Sequence, residues 1–243
     1  MPRHLPLRPR SKSRKPQTAP QRSNKMCRFF QTFTKITAWP AQAVCFRTKI
    51  HYEDKRVQGR RIKGKAIIVS NHTSVYDFAV MLFTFPFRTL RYLMAEVLFR
   101  RKGLSRFLKK MGGIFVDRDA YDFAFLDECN EILRKGGVVG VFPEGRLPRE
   151  GEERPLPFLP STAYLALMSG APIIPVYTNG SYFQRKRARV IIGKPVDVSS
   201  IARGELSEKE NIEAVNEYLR QRIVELRNEL QRQLEHKNKK KKA

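Results

Sequence analysis

The chain has 243 residues, 41% hydrophobic and 10% aromatic, enough for one large domain and too much for a disordered polymer. Lys and Arg total 48 against 23 Asp and Glu, and the net charge of +25 calls for a polyanionic partner: nucleic acid, an anionic bilayer or phosphorylated ligands. Three cysteines without CxxC spacing and only four histidines speak against a disulfide scaffold or a metal site, and fit a reducing compartment.

Residues 1–25 hold eight Arg or Lys, no acid and almost nothing apolar, which predicts a disordered basic tail. Residues 26–50 follow as an amphipathic helical element. Phe29, Phe30, Phe33 and Ile36 recur at helical spacing with Arg28, Gln31 and Lys35 between them, and Pro40 should break or kink the helix. Such a segment either packs on the domain core or lies in a membrane interface with its aromatics in the acyl boundary. No run of about 18 apolar residues occurs, and the basic N-terminus lacks the uncharged core of a signal peptide. The expected location is therefore the cytoplasmic side of the cell membrane, as a peripheral or monotopic protein.

From 51 to 236 the pattern alternates. Ala66–Val69 is a short apolar run suited to a buried strand, and an apolar stretch, Phe78 to Phe87, follows a polar turn. Gly113–Val116 is a second strand, residues 121–135 a helix stopped by Gly136-Gly137, and Val138–Phe142 a third strand. Helix over 161–168 and strands over 173–177 and 189–192 complete an α/β fold. Its central sheet is expected to be mostly parallel or mixed, with helices flanking it. Ser207 and Glu210 form a capping box for a long amphipathic helix ending near His236, with Ile212, Val215, Leu219, Ile223, Leu226 and Leu230 on one face. A Lys-rich tail, 237–243, closes the chain.

Chemistry concentrates at strand ends. Gly59 to Ala66 nearly spells a P-loop, but Ala66 stands where magnesium needs a hydroxyl, and the segment precedes its strand. After the first strand comes Ser70-Asn71-His72-Thr73-Ser74-Val75-Tyr76-Asp77, where α/β sheets hold their ligands. On a straight helix His72 and Asp77 would lie about 140° apart, so they can meet only if His72 sits in the turn before the helix. Asp77 would then take a hydrogen bond from one ring nitrogen and leave the other as a base. A lone pair at this spacing reads as a capping His and a surface Asp. Two further strand ends change that: Asp117-Arg118, with a guanidinium fork suited to phosphate, and Phe142-Pro143-Glu144-Gly145-Arg146.

Together these residues resemble the glycerolipid acyltransferases of the bacterial lysophosphatidic acid acyltransferase type, over roughly Ile67 to Tyr177. Asn71 to Asp77 is similar to the family's NHxSxxD block, Gly113 to Arg118 to its second, Phe142 to Gly145 to its third and Ala171 to Val176 to its fourth. Arg146 directly follows Gly145, where the family reads EGTR. The resemblance implies an acyltransferase giving phosphatidic acid from 1-acylglycerol 3-phosphate, with acyl-CoA or acyl-ACP as co-substrate, no cofactor and no metal. His72 would be the base, Asp77 its partner, and Arg118, Glu144, Gly145 and Arg146 the binders of the acceptor. Another lysolipid acceptor is the nearest alternative. A nucleic-acid-binding protein is the competitor from a different class, resting on the charge, the Lys tail and Arg185-Lys186-Arg187 beside Tyr182 and Phe183.

Overall fold

A computed structural model describes residues 24–116, 124–184 and 187–242. The chain opens with α1 (Asn24–Thr37) and α2 (Trp39–Cys45), broken at Ala38. Pro40 falls in the first turn of α2, where a missing N–H is tolerated. Then come β1 (Lys49–Tyr52), β2 (Ala66–Ser70), α3 (Asp77–Thr84), β3 (Leu90–Ala95), α4 (Lys102–Lys110) and β4 (Ile114–Val116). The remainder is α5 (Ala124–Arg134), β5 (Val138–Val141), α6 (Pro160–Ser169), β6 (Ile173–Thr178), β7 (Arg189–Ile192) and α7 (Glu208–Lys242).

Seven strands form one sheet in the order β1-β7-β6-β2-β5-β3-β4. All neighbours are parallel except β6 and β7, so β1 and β7 run against the other five. The sheet is mixed and helix-flanked, as expected. Central β2 and β5 are buried along their whole length, because a strand covered on both faces needs apolar residues at every position. Strand alternation divides the core in two. Ile68, Val138, Ile174 and Val176 face the side covered by α3, and Ile67, Val69, Val139, Val141 and Ile173 face α5, α6 and the first half of α7.

The capping box forms as read: the Ser207 hydroxyl donates to Glu210 at 2.6 Å and accepts the Glu210 N–H at 3.3 Å. Val215, Leu219, Ile223, Leu226 and Leu230 are all buried. The helix does not stop near His236. It continues to Lys242, past the exposed Lys237, Lys239 and Lys240, since nothing after the last apolar residue breaks it.

Three elements were not expected. β1 is an edge strand of half-buried Lys, Ile, His and Tyr with no apolar run, and it straddles the boundary placed at residue 50. β3 carries Arg91 at a buried position, where Nη2 donates to Glu128 Oε1 at 2.9 Å. α4, a short basic helix, buries only Leu108. In each, pairing or a partner from elsewhere in the chain outweighs local pattern.

The sequence left open which face of α1 docks, and its contacts answer that. Cys27 and Gln31 are buried, whereas Phe29, Phe33 and Ile36 are 66%, 57% and 70% exposed. Gln31 serves as a stand-in for a neighbouring strand. Its Oε1 accepts the Leu90 N–H at 2.9 Å, and its Nε2 donates to the Leu90 and Met111 carbonyls at 2.6 and 2.8 Å. Lys35 likewise turns inward, donating to the Arg88 carbonyl at 2.7 Å. The polar face of the helix is docked and its aromatic face is open.

Candidate active site

The chain leaves β2 at Ser70, crosses a loop and starts α3 at Asp77. β2 lies between β5 and β6, so this loop emerges at the centre of the carboxyl edge of the sheet. Asn71 anchors it: Oδ1 accepts the Thr178 N–H and Nδ2 donates to the Thr178 carbonyl, both at 2.9 Å, at the end of β6. Glu144, beyond β5, holds the other side. One carboxylate oxygen accepts the His72 N–H at 2.8 Å and the other accepts the Leu156 N–H at 3.0 Å. Burial raises the Glu144 carboxyl above its ordinary range, against the pull of those two donors.

His72 stands in the turn before the helix, and its Nδ1 lies 2.9 Å from Asp77 Oδ2. Asp77 has no exposed side-chain surface, yet each oxygen is well supplied. Oδ2 also accepts the N–H groups of Thr73 and Ser74 at 2.6 and 2.9 Å. Oδ1 accepts the Thr73 hydroxyl at 2.9 Å and the Tyr182 hydroxyl at 2.6 Å. A buried carboxylate persists only with such a set of donors. Because Asp77 accepts, Nδ1 carries the proton, and Nε2 presents a lone pair with no partner among the described residues. Burial first, and then the Asp77 charge, push the Tyr182 phenol far above its usual range, so it remains a donor. The imidazole rests on Phe142, ring centroids 4.4 Å apart and 12° from parallel, and is 19% exposed.

His72 and Glu144 line a cavity of about 100 Å³, with Arg154, Tyr177, Asn179 and Arg227 completing much of its wall. Arg227 arrives from α7, far along the chain. Of the residues read as acceptor binders, Glu144 reaches this cavity but spends both oxygens on backbone. Gly145 adopts φ 70°, and a Cβ there would sit 2.5 Å from Leu159 Cδ1, so only glycine fits the turn. Arg146 is outside the cavity wall: it makes a two-pronged pair with Glu152 at 2.7 and 2.8 Å. That hydrogen-bonded pairing holds the Glu152 carboxyl down to about 2. Arg118, and Asp117 before it, fall outside the described residues. Arg154 and Arg227 escaped the sequence reading, and Tyr182 entered it only as an aromatic beside a basic run, not as a partner of Asp77. Tyr182 is 105 positions from Asp77, and two arginines among 48 basic residues give no signal of their own. Among the described residues no cluster of His, Cys, Asp and Glu could hold a metal ion.

Comparison with known proteins bears on the family and the fold. The sequence model of the Acyltransferase family matches residues 47–179. A 1-acyl-sn-glycerol-3-phosphate acyltransferase of Bacillus subtilis is 32% identical over 146 residues, 58% of this chain and 70% of that protein. One from Borreliella burgdorferi is 32% identical over 127 residues, 50% of this chain and 49% of the relative, so the match spans about half of that protein. In structure, the 1-acyl-sn-glycerophosphate acyltransferase of Thermotoga maritima superposes with a TM-score of 0.55 at 23% identity, covering 84% of this chain and 79% of that one, which establishes a shared fold. With more than half its length matched by the family model, this chain belongs to the acyltransferase family.

Proposed function

We propose that this acyltransferase moves a fatty acyl group from an acyl thioester, on coenzyme A or acyl carrier protein, to the free hydroxyl of 1-acylglycerol 3-phosphate, giving phosphatidic acid. The observation that carries the reading is the 2.9 Å contact between His72 Nδ1 and Asp77, which leaves Nε2 free on a partly open ring. The relatives named above are named for action on such an acceptor, and the match to the family model, residues 47–179, includes the loop that holds His72.

In this mechanism Nε2 takes the proton of the acceptor hydroxyl as its oxygen attacks the thioester carbonyl. Asp77 balances the imidazolium. The tetrahedral intermediate then collapses, the C–S bond breaks, and the thiolate recovers the proton from His72, which returns to its neutral form. No side chain is acylated. Phe142 behind the ring and Glu144 on the His72 N–H fix where Nε2 points, so little reorganisation is needed on reaction. The resemblance assigns the acceptor's phosphate to Arg118. The paired Arg146 is a poor second choice, because the phosphate would have to displace Glu152.

The enzyme meets its lipid as a monotopic protein on the cytoplasmic face of the membrane. Exposed Phe29, Phe33, Ile36 and Trp39 support this, and among the described residues no helix is long and apolar enough to cross a bilayer.

The test is acyl transfer from palmitoyl thioester with a panel of glycerol phosphates and lysophospholipids. Lysophosphatidate should be preferred over a neutral monoacylglycerol. Turnover should fall by about 10²–10⁴ in His72→Ala, and comparably in Asp77→Asn, with the circular dichroism unchanged. Near-normal turnover in folded His72→Ala would overturn the mechanism.

A further inference from the structure

A second cavity, of about 320 Å³, opens where α2 meets β1 and α3. Trp39, Gln42, Arg47, Thr48, Arg60 and Arg187 form most of its wall, and no residue of the wall is acidic. Arg60 is held in place by the end of α3: its Nε donates to the Thr84 carbonyl at 3.0 Å and its Nη2 to the Phe83 carbonyl at 2.6 Å. A guanidinium has five N–H groups, so this one is fixed and still has donors to offer.

Two polar atoms of the same wall, Gln42 Oε1 and Thr48 Oγ1, are buried and have no partner among the described residues. Buried polar atoms are nearly always satisfied, so these two call for a partner that the described residues do not supply. The Thr48 hydroxyl can donate, and the Gln42 amide can rotate to present its NH₂. The site thus offers donors and positive charge, and no carboxylate stands in its wall. Its surroundings add to the excess. Beside the cavity the Lys49 amine is pulled down to about 8, chiefly by its contact with Lys237, then by desolvation, and last by the charges of Arg189 and Arg187.

We propose that this cavity seats the phosphate of an anionic bilayer lipid, as a headgroup site separate from the catalytic one. The inference rests on the reading that α1 and α2 lie on a membrane. A lipid rather than a nucleic acid fits the page because the same two helices expose Phe29, Phe33, Ile36, Trp39 and Val44, a mixture with two aliphatic residues that stacking on bases does not call for. One molecule offers both a phosphate for the arginines and chains for the apolar face.

Trp39 is the only tryptophan in the chain and sits in the cavity wall, so its fluorescence reports occupancy directly. The experiment compares vesicles of phosphatidylcholine alone with vesicles also containing phosphatidylglycerol. The wild-type chain should bind the anionic vesicles more tightly, with Trp39 emission moving to the blue. Arg47→Gln with Arg187→Gln, both at exposed positions, should cut that preference by about fivefold per arginine while leaving binding to neutral vesicles unchanged. Lys239→Gln with Lys240→Gln removes the same charge outside the cavity and should keep the preference within about twofold. The site is refuted if the arginine variant keeps the full preference, or if the lysine variant loses as much. Phe29→Ser with Phe33→Ser should lose both vesicle types. That loss beside an unaltered arginine variant defeats the headgroup site and leaves membrane association standing. A wild-type chain that binds neither vesicle defeats both. If the arginine variant loses a single-stranded oligonucleotide but not vesicles, the occupant is nucleic acid and the proposal falls.

Discussion

Tyr92 lies fully buried under the imidazole's support: its ring sits 5.1 Å from Phe142, which in turn stacks on His72, and 5.4 Å from Phe78. Its hydroxyl is buried without a partner among the described residues, and burial, then the Asp77 charge, raise its pKa well above the ordinary value. The ring therefore supports His72, while the hydroxyl is a cost. Tyr92→Phe should leave turnover intact and raise the unfolding free energy by about 1–3 kcal/mol, read by denaturant titration. A loss of stability would mean that the hydroxyl is satisfied in solution. At this scale the sequence exposed what is local. His72 and Asp77 are five positions apart, and their pairing needs only the turn that precedes α3. The donors from Tyr182, and the guanidinia of Arg154 and Arg227, are brought in by the fold from distant elements, and no spacing rule announces them.

Among the elements, the buried strands β2, β5 and β6 were readable because continuous apolar runs have few other uses, and α7 because its apolar stripe persists over several turns. β1 and β3 were not, since an edge position and a partnered arginine remove the apolar signature. The spacing of α1 was read correctly as amphipathic but left open which face would dock. Hydrophobicity alone points the wrong way there, and Gln31 with its three buried bonds decides it. Lys35 gives a test of that docking. Burial lowers its amine from 10.5 to about 8, so the folded chain binds this proton less tightly than the unfolded chain does. Between those values the unfolded state holds more protons, and stability must rise with pH. The wild-type unfolding free energy should climb from pH 8 to 10.5 relative to Lys35→Met, which lacks this titration. Parallel curves for the two proteins would place Lys35 in solvent.

Across the whole molecule, α7 acts as a strap over the far edge of the sheet. Arg222 grips Glu53 through Nη2 at 2.9 and 2.7 Å, and Glu53 also accepts the Lys194 N–H at 2.8 Å. One turn past Leu230, Gln233 donates to the Tyr52 carbonyl at 3.0 Å and meets His51 Nδ1 at 3.2 Å. Charge-assisted bonds of this kind contribute about 1.5–3 kcal/mol, so Arg222→Gln should speed amide exchange in residues 222–234 by about tenfold or more. Amides of β2 and β5 should not change; if they do, the strap is part of the global fold and not a separable layer. The docking of α1 has a geometric consequence of another kind. Three hydrogen bonds to one side chain forbid the helix to roll about its axis, so Phe29 and Phe33 keep a constant bearing relative to the sheet whose carboxyl edge carries the His72 loop. Any surface that accepts those rings meets the enzyme at a single attitude; if that surface is the proposed bilayer, the search for a substrate is a walk in two dimensions with the His72 imidazole always at the same height.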